Sequence, residues 1–266
     1  MDSDLNEQRF GALDRLFGRG SRERLWDAHV AVIGIGGVGS WSAEALARSG
    51  VGKITLIDLD DVCITNTNRQ LHAIDGQIGR EKVAAMADRV RAISPDCEIT
   101  QEAAFFTGKS AAQLLEPRYD CVIDGIDSVT NKCHILIGCR EADIPLVMTG
   151  GAGGKSDPSR LRVSDLAFTT NDRLLRMVRR HLRQNYGYPR EQEHVPMHVR
   201  AVYADENAVF PGPNGEICPV NHKLGNGRLD CETGMGTAAF MTGAFGLAAA
   251  GEAVRLVLQR AELSRD

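Results

Sequence analysis

The sequence predicts an α/β fold of the Rossmann-like kind, a doubly wound and mainly parallel sheet with helices on both faces. Two observations carry this. Short apolar, β-rich runs alternate with helical patterns through the first 150 residues, and a glycine-rich turn joins the first run to the first of those helices. In order, AHVAVI at 28–33 reads as a strand, GIGGVGS at 34–40 as the turn, and WSAEALARSG as a helix with Gly50 at its C-cap. KITLIDLD, Lys53 to Asp60, is a second strand that ends in carboxylates, and GREKVAAMADRVRAISP is an amphipathic helix stopped by Pro95. A weaker strand at Cys97 to Glu102 and a helix at Lys109 to Leu115 follow. Next come the strand Cys121 to Asp124, a helix from Asp127 to Ala142 and the strand PLVMTG. Such strict alternation implies parallel pairing.

Beyond it the pattern loosens. GGAGGKSDP reads as flexible, LRVSDL as a strand, Asp172 to Gln184 as a basic helix, VRAVYADENAVF as extended chain and PGPNGEICPV as a loop. Residues 151–233 contain too few periodic apolar runs for a core of their own. The chain, 1–266, is therefore expected to be one domain carrying an irregular insertion at 151–233. The uncharged stretch 234–251, GMGTAAFMTGAFGLAAAG, is at the borderline of membrane-spanning length. Its small residues and the following Glu252 and Arg255 suit a buried helix instead, so no stable membrane insertion is expected.

Composition narrows the class. With 266 residues, 43% hydrophobic and 25% charged, the chain needs no disulfide or metal staple, and its net charge of −4 argues against wholesale electrostatic binding of nucleic acid, though not against a local basic patch. Seven cysteines without paired spacing, and a first ten residues lacking the basic-then-apolar order of a signal peptide, lead to the expectation of a reducing, cytoplasmic setting.

Gly34, Gly36, Gly37 and Gly39 form a dinucleotide-type fingerprint between a strand and a helix, whose N-terminal amides can face phosphate. Gly34 suits the tight turn, Gly36 and Gly37 a close approach of ligand to backbone, and Gly39 close helix packing. Asp58, with Asp60 just beyond it, stands where a ribose-binding carboxylate is needed. To this point NAD and ATP fit equally well. The next residues favour a triphosphate: Asn66, Arg69 and Gln70 follow the carboxylates closely, and Lys82 opens the next helix. Two cations can neutralise a leaving pyrophosphate. Asp127, just past a strand end, can hold Mg2+ through one carboxylate, with Asp124 a weaker second candidate. Taken singly, Asp127 reads equally as a helix N-cap, and Arg69 and Lys82 as surface charges.

Together, GxGGVGS, LIDLDDVCITNTNRQ, the Lys82 helix and DGIDSVTNK resemble the adenylating fold of ubiquitin-activating enzymes and their bacterial relatives in molybdopterin and thiamine synthesis, over about residues 5–150. The resemblance implies that Asp58 binds ribose, that Asn66, Arg69 and Lys82 bind phosphates, that Asp127 binds Mg2+, and that AMP passes from ATP to a carboxylate. Sulfur-carrier adenylyltransferases of this fold usually carry two CxxC pairs, absent here: Cys63, Cys97, Cys121, Cys133, Cys139, Cys218 and Cys231 lack ligand spacing. Three longer stretches, GVGSWSAEALARSGVGKITLIDLDDVCITNTNRQLHA, IPLVMTGGAGGKSDP and DCETGMGTAAFMTGAFG, are similar to the tRNA threonylcarbamoyladenosine dehydratase branch. That similarity implies ATP-dependent ring closure of the modified adenosine next to the anticodon, with tRNA as partner and a homodimer as assembly. Adenylation of a ubiquitin-like sulfur carrier, and a nucleotide-binding scaffold for a cysteine-desulfurase system, stand as alternatives.

A tRNA substrate calls for a basic surface. DRLLRMVRRHLRQ places Arg173, Arg176, Arg180 and Arg183 on one helical stripe, with Leu174, Leu175, Val178 and Leu182 opposite; the stripe reads as a phosphate-contacting surface or as a plain solvated face. Relatives often carry an Arg near Ala12 that reaches across the dimer to ATP, for which Arg9 and Arg15 are the candidate substitutes. Cys231 is either a reactive thiol or a buried one. Thr149 to Gly154 is either a carbonyl site for a monovalent cation or a flexible lid.

Overall fold

Each apolar run of the first half forms a parallel strand. In the computed structural model, which describes residues 3–189, 193–212, 214–219 and 235–263, the strands β1 (His29–Ile33), β2 (Lys53–Ile57), β3 (Glu98–Glu102), β4 (Cys121–Asp124) and β5 (Leu146–Thr149) are joined by β6 (Leu161–Asp165) and β7 (Arg200–Ala204). They make one seven-stranded sheet in the order β3-β2-β1-β4-β5-β7-β6. All pairings are parallel except β6 with β7. Thus the fold is Rossmann-like, and the looser region 151–233 supplies two of its strands. A short hairpin of β8 (Phe210–Pro211) and β9 (Ile217–Cys218) stands apart.

Strand alternation decides which helices cover which face. Val30 and Val32 point with Ile54 and Leu56 into a layer closed by α3 (Ser21–Asp27), α4 (Gly39–Arg48), α5 (Lys82–Ile93) and α9 (Ala239–Leu263). Ala31 and Ile33 point with Val122 and Met148 to the other layer, closed by α6 (Ala111–Leu114), α7 (Val129–Glu141) and α8 (Arg173–Asn185). Two small helices, α1 (Ser3–Phe10) and α2 (Ala12–Phe17), precede α3, and Phe10 packs against Gly50. Several expected bounds move by a few residues. The Asp127–Ala142 and Asp172–Gln184 helices begin at Val129 and Arg173, because Ser128 and Asp172 are the caps.

The apolar C-terminal stretch forms α9. By length and composition it can cross a bilayer, yet 67% of its apolar window is buried inside the protein. Its small residues explain why. A side chain at Gly246 would stand 2.5 Å from the Val38 carbonyl oxygen and 2.6 Å from Trp41 Cβ, and the Ser42 hydroxyl donates to the Gly246 carbonyl at 3.0 Å. Such close approach carries Phe245 fully into the core, a burial that contributes about 1.5–3 kcal/mol.

Candidate active site

The strand order reverses between β1 and β4, so their carboxyl ends splay apart and leave a crevice, the place where open α/β sheets bind ligands. The glycine turn lines it. Gly34 has a φ of +85°, and a β-carbon there would lie 2.6 Å from Ile126 Cγ2, so no other residue fits between β1 and the turn after β4. A β-carbon at Gly39 would overlap the Gly34 carbonyl oxygen. Gly36, in contrast, faces open space, its nearest neighbour being Gln70 Nε2 at 3.9 Å. Gly37 packs against Thr242 of α9, which stands 3.1 Å from where its β-carbon would be.

Side chains from three segments surround this turn. Asp58 fastens it: its Oδ2 accepts from the Ile35 amide at 2.6 Å and its Oδ1 from the Asp60 amide at 2.9 Å. Burial pushes the Asp58 carboxyl above its ordinary range, with the Lys82 ammonium and both amides opposing. Lys82, itself buried, pairs with Asp60 at 2.8 Å. Asn66 is a turn-former, its Oδ1 accepting from the Cys63 amide at 3.0 Å while its carbonyl receives the amides of Arg69 and Gln70. That turn sets Arg69 against Gly37. The Arg69 carbonyl accepts from Trp41 Nε1 and Thr242 Oγ1, and its guanidinium donates to the Thr65 carbonyl at 2.8 Å and to Asn68 at 3.0 Å. Gln70 is buried; its Nε2 is the atom nearest Gly36, and its Oε1 has no partner among the described residues.

The two aspartates after β4 separate clearly. Asp124 is wholly buried and lies 3.0 Å from Nζ of Lys132, itself wholly buried, while its Oδ1 accepts from the Ile126 amide at 3.2 Å. It is an internal counter-ion, which removes it as a second Mg2+ candidate. Asp127 is exposed, and because Ser128 caps α7, its carboxylate is not engaged in capping. Among the described residues no cluster of three His, Cys, Asp or Glu forms a metal site, so Asp127 offers a single carboxylate.

Sequence reasoning passed over two groups. His72 is 3% exposed, neither ring nitrogen has a hydrogen-bond partner among the described residues, and burial first, then the Lys82 charge, push its pKa down to about 4. It is a neutral imidazole beside the crevice; its only signal was its place two residues after Gln70. Lys132 was visible in DGIDSVTNK but its burial was not. The cysteines behave as expected where they are described. Cys121, Cys133 and Cys139 are core thiols, pushed up by burial, the latter two to about 12. Cys63 is exposed, and the Thr65 hydroxyl lowers its pKa. Cys231 lies outside the described residues. Arg9 and Arg15 are both exposed, and Ala12 opens α2.

On the far side of the sheet, α8 begins at the same carboxyl rim. Asp172 caps it, its Oδ1 accepting from the Leu175 amide at 2.9 Å, and Asp172 Oδ2 accepts from the Gly151 amide at 3.0 Å. Further amide bonds run from Gly150 to Val202 and from Gly154 to Gly236, tying the Thr149–Gly154 turn to its neighbours. Leu175, Val178 and Leu182 are buried, whereas Leu174 is only partly so; Arg179 takes the remaining inward position, donating to Thr169 Oγ1 and the Leu166 carbonyl. Arg173, Arg176 and Arg180 are exposed, while Arg183 is partly buried with its Nε donating to the Pro189 carbonyl.

The sequence pattern of the ThiF family matches residues 11–265. The chain is 44% identical over 260 residues to the tRNA threonylcarbamoyladenosine dehydratase of Escherichia coli, covering 97% of each, and 39% identical over 257 residues to that of Haemophilus influenzae, covering 97% of this chain and 96% of the relative. The crystal structure of the Escherichia coli enzyme in complex with ATP superposes with a TM-score of 0.86 at 41% identity, over 98% of both chains.

Proposed function

The chain belongs to the ThiF family, and from that premise we propose that it is an ATP-dependent tRNA threonylcarbamoyladenosine dehydratase, which adenylates the carboxylate of that nucleoside and closes the ring from within. The observation that carries the reading is the crevice itself: the open face of Gly36 beside Gln70, bordered by Arg69, Lys82 and the exposed carboxylate of Asp127.

The residues divide the work as follows. The amides that open α4 and the face of Gly36 seat the phosphates of ATP, and Asp58 both receives the ribose and anchors the Ile35 amide. The substrate carboxylate attacks the α-phosphorus, forming a mixed anhydride with AMP and releasing pyrophosphate. Arg69 and Lys82 take up the charge that builds on the leaving group, Lys82 being aimed by Asp60. Asn66 holds the turn that presents Arg69 and Gln70. Mg2+ held by Asp127 would neutralise phosphate charge and orient it, and one free carboxylate suits an ion that binds largely through phosphates and water. The carbamoyl nitrogen then attacks the acyl carbon, gives up its proton, and AMP leaves; the nucleoside has lost the elements of one water. Effective molarities of about 10⁵ to 10⁸ M for well-oriented internal nucleophiles explain why no catalytic thiol is needed.

Arg173, Arg176 and Arg180, with Arg183 at the end of the stripe, contact the tRNA backbone, and the start of α8 at the crevice rim supports this. A homodimer is supported by Phe240 and Leu247, apolar residues exposed by 59% and 53% on one side of α9. Buried, unpaired thiols support a reducing, cytoplasmic setting.

The test is to incubate the protein with ATP, Mg2+ and tRNA carrying threonylcarbamoyladenosine, digest the RNA and weigh the nucleoside. ATP-dependent loss of one water is the expected result. No loss, with ATP to pyrophosphate exchange stimulated by a sulfur-carrier protein instead, would replace this reading by carrier adenylation.

A further inference from the structure

A second recess lies at the edge of the sheet opposite the crevice. It opens at the amino-terminal ends of β5 and β7, between the end of α7, the chain that follows α8 and the last turns of α9. Its volume is about 650 Å³, within the range of roughly 300–1,000 Å³ usual for small-molecule sites. Leu146, Met197 and Leu256 give it apolar walls, to which Arg140, Tyr188 and Gln259 add polar groups. The walls are held by the protein itself. Asp165 accepts the Met197 and Val199 amides at 2.9 and 3.1 Å, which fixes His198 between them at a φ of +57°. On the other side Arg260 donates to the Asp143 carbonyl at 2.9 Å and to its carboxylate at 3.1 Å.

Two groups in this frame are left without a polar partner. Tyr188 is 7% exposed, and its hydroxyl is buried with no hydrogen bond among the described residues. The Arg140 guanidinium stands 5.3 Å from the centre of the Tyr188 ring, and no carboxylate among the described residues pairs with it. A buried hydroxyl without a partner is costly, so it marks a place for a polar ligand atom. An apolar slot with an aromatic ring, a hydroxyl and a guanidinium matches a nucleotide, whose base has an apolar face and a hydrogen-bonding edge and carries a phosphate. The basic stripe of α8 leads here from the crevice. That helix starts at the crevice rim, runs for 13 residues, about 20 Å, and ends with Arg183 donating to the carbonyl of Pro189 in the recess wall.

We propose that this recess holds one unstacked nucleotide of the RNA whose modified nucleoside occupies the crevice. The base lies against Tyr188 and the apolar walls with its polar edge toward the Tyr188 hydroxyl, and the phosphate meets Arg140. Two distant points on one RNA, joined by the arginines of α8, then fix how the substrate is presented to the crevice. This rests on the reading of the chain as a tRNA-modifying enzyme.

The test measures the affinity for tRNA carrying threonylcarbamoyladenosine, with ATP affinity in the absence of RNA and thermal melting as controls. It compares the wild type, Arg140→Gln, Tyr188→Phe and Gln259→Trp, the last filling the recess from an exposed position on α9. All three variants keep the wild-type affinity for ATP and, at saturating tRNA, the wild-type rate. Gln259→Trp binds the tRNA about tenfold more weakly. Arg140→Gln loses about 0.7 from the slope of log K against log salt. Tyr188→Phe removes a hydroxyl that bonds nothing in the free protein, so it binds about fivefold more weakly without melting lower. Benzoylphenylalanine in place of Gln259 crosslinks on illumination to one nucleotide of the anticodon arm, and a tRNA abasic at that nucleotide binds the wild type and Gln259→Trp alike. If Gln259→Trp does not fold, Arg140→Gln and Tyr188→Phe bear the comparison. Unchanged tRNA affinity in the variants, while the wild type binds and dehydrates the tRNA, overturns the proposal and leaves the function standing. Binding of free UMP or CMP that Arg140→Gln abolishes, with tRNA affinity unchanged, assigns the recess to a free nucleotide and overturns it too. A wild type that neither binds nor dehydrates the tRNA overturns the function and the proposal together.

Discussion

At the crevice between β1 and β4, charged groups are held by other protein groups before any ligand arrives. Asp58 is bonded to the Ile35 amide, Lys82 to Asp60, Arg69 to the Thr65 carbonyl and Asp124 to Lys132. Along α8, in contrast, the inward face is as firmly fixed by Leu175, Val178, Leu182 and Arg179, but Arg173, Arg176 and Arg180 stand exposed. On the function proposed above, the difference separates two kinds of work. Stabilising a developing charge requires groups that need not reorganise, whereas gripping a polyanion requires displaceable counter-ions on side chains free to adapt. Substitutions in the crevice should therefore lower stability or turnover, and those on α8 should lower affinity and its salt dependence.

The largest effect is expected from Lys132→Met, which strands the buried Asp124 carboxylate. It should cost about 3–5 kcal/mol in urea unfolding, and Asp124→Asn added to it should recover most of the loss. A double variant no more stable than the single one would show that the pair is not what fixes this turn. Next, Arg69→Ala should lower single-turnover dehydration by about 10²- to 10³-fold, with tRNA affinity nearly unchanged. Equal losses in both would place Arg69 in RNA binding.

His72 sharpens the contrast through pH. Its folded pKa, about 4, lies below the ordinary His value of 6.5, so the unfolded chain binds the extra proton more readily. The native state is therefore penalised as pH falls from 6.5 towards 4, by up to about 3 kcal/mol, and the penalty is absent above neutrality. Denaturation curves of His72→Gln should lose that part of the acid slope. An unchanged slope would mean that this imidazole is not held neutral by its burial beside Lys82.

The crevice was legible wherever its logic is local. Gly34, Gly36, Gly39, Asp58 and Lys82 follow one another along a strand, turn and helix, and each is where that order puts it. What sequence did not disclose came from packing and burial. Gly37 meets Thr242 of the last helix, and Lys132, in the same short motif as both aspartates, is buried against Asp124 while Asp127 stays exposed. In α8, helical periodicity put Arg173, Arg176 and Arg180 on the exposed face, but it does not announce that Arg183 is partly buried against the Pro189 carbonyl, that Arg179 turns inward to reach Thr169 and the Leu166 carbonyl, or that Leu174 stays half-exposed. Strand β6 was legible as LRVSDL and β7 as extended chain, but their pairing was not, since neither run says that β7 lies parallel to β5 and antiparallel to β6.

The division of labour is tested most directly by tRNA binding as a function of salt, measured side by side for the wild type, Arg69→Ala and Arg176→Ala/Arg180→Ala. The account predicts that the double variant binds about tenfold more weakly at low salt, with the slope of log K against log salt shallower by about 1.5, while Arg69→Ala follows the wild-type line. An unchanged slope in the double variant, or a shallower one in Arg69→Ala, would contradict it.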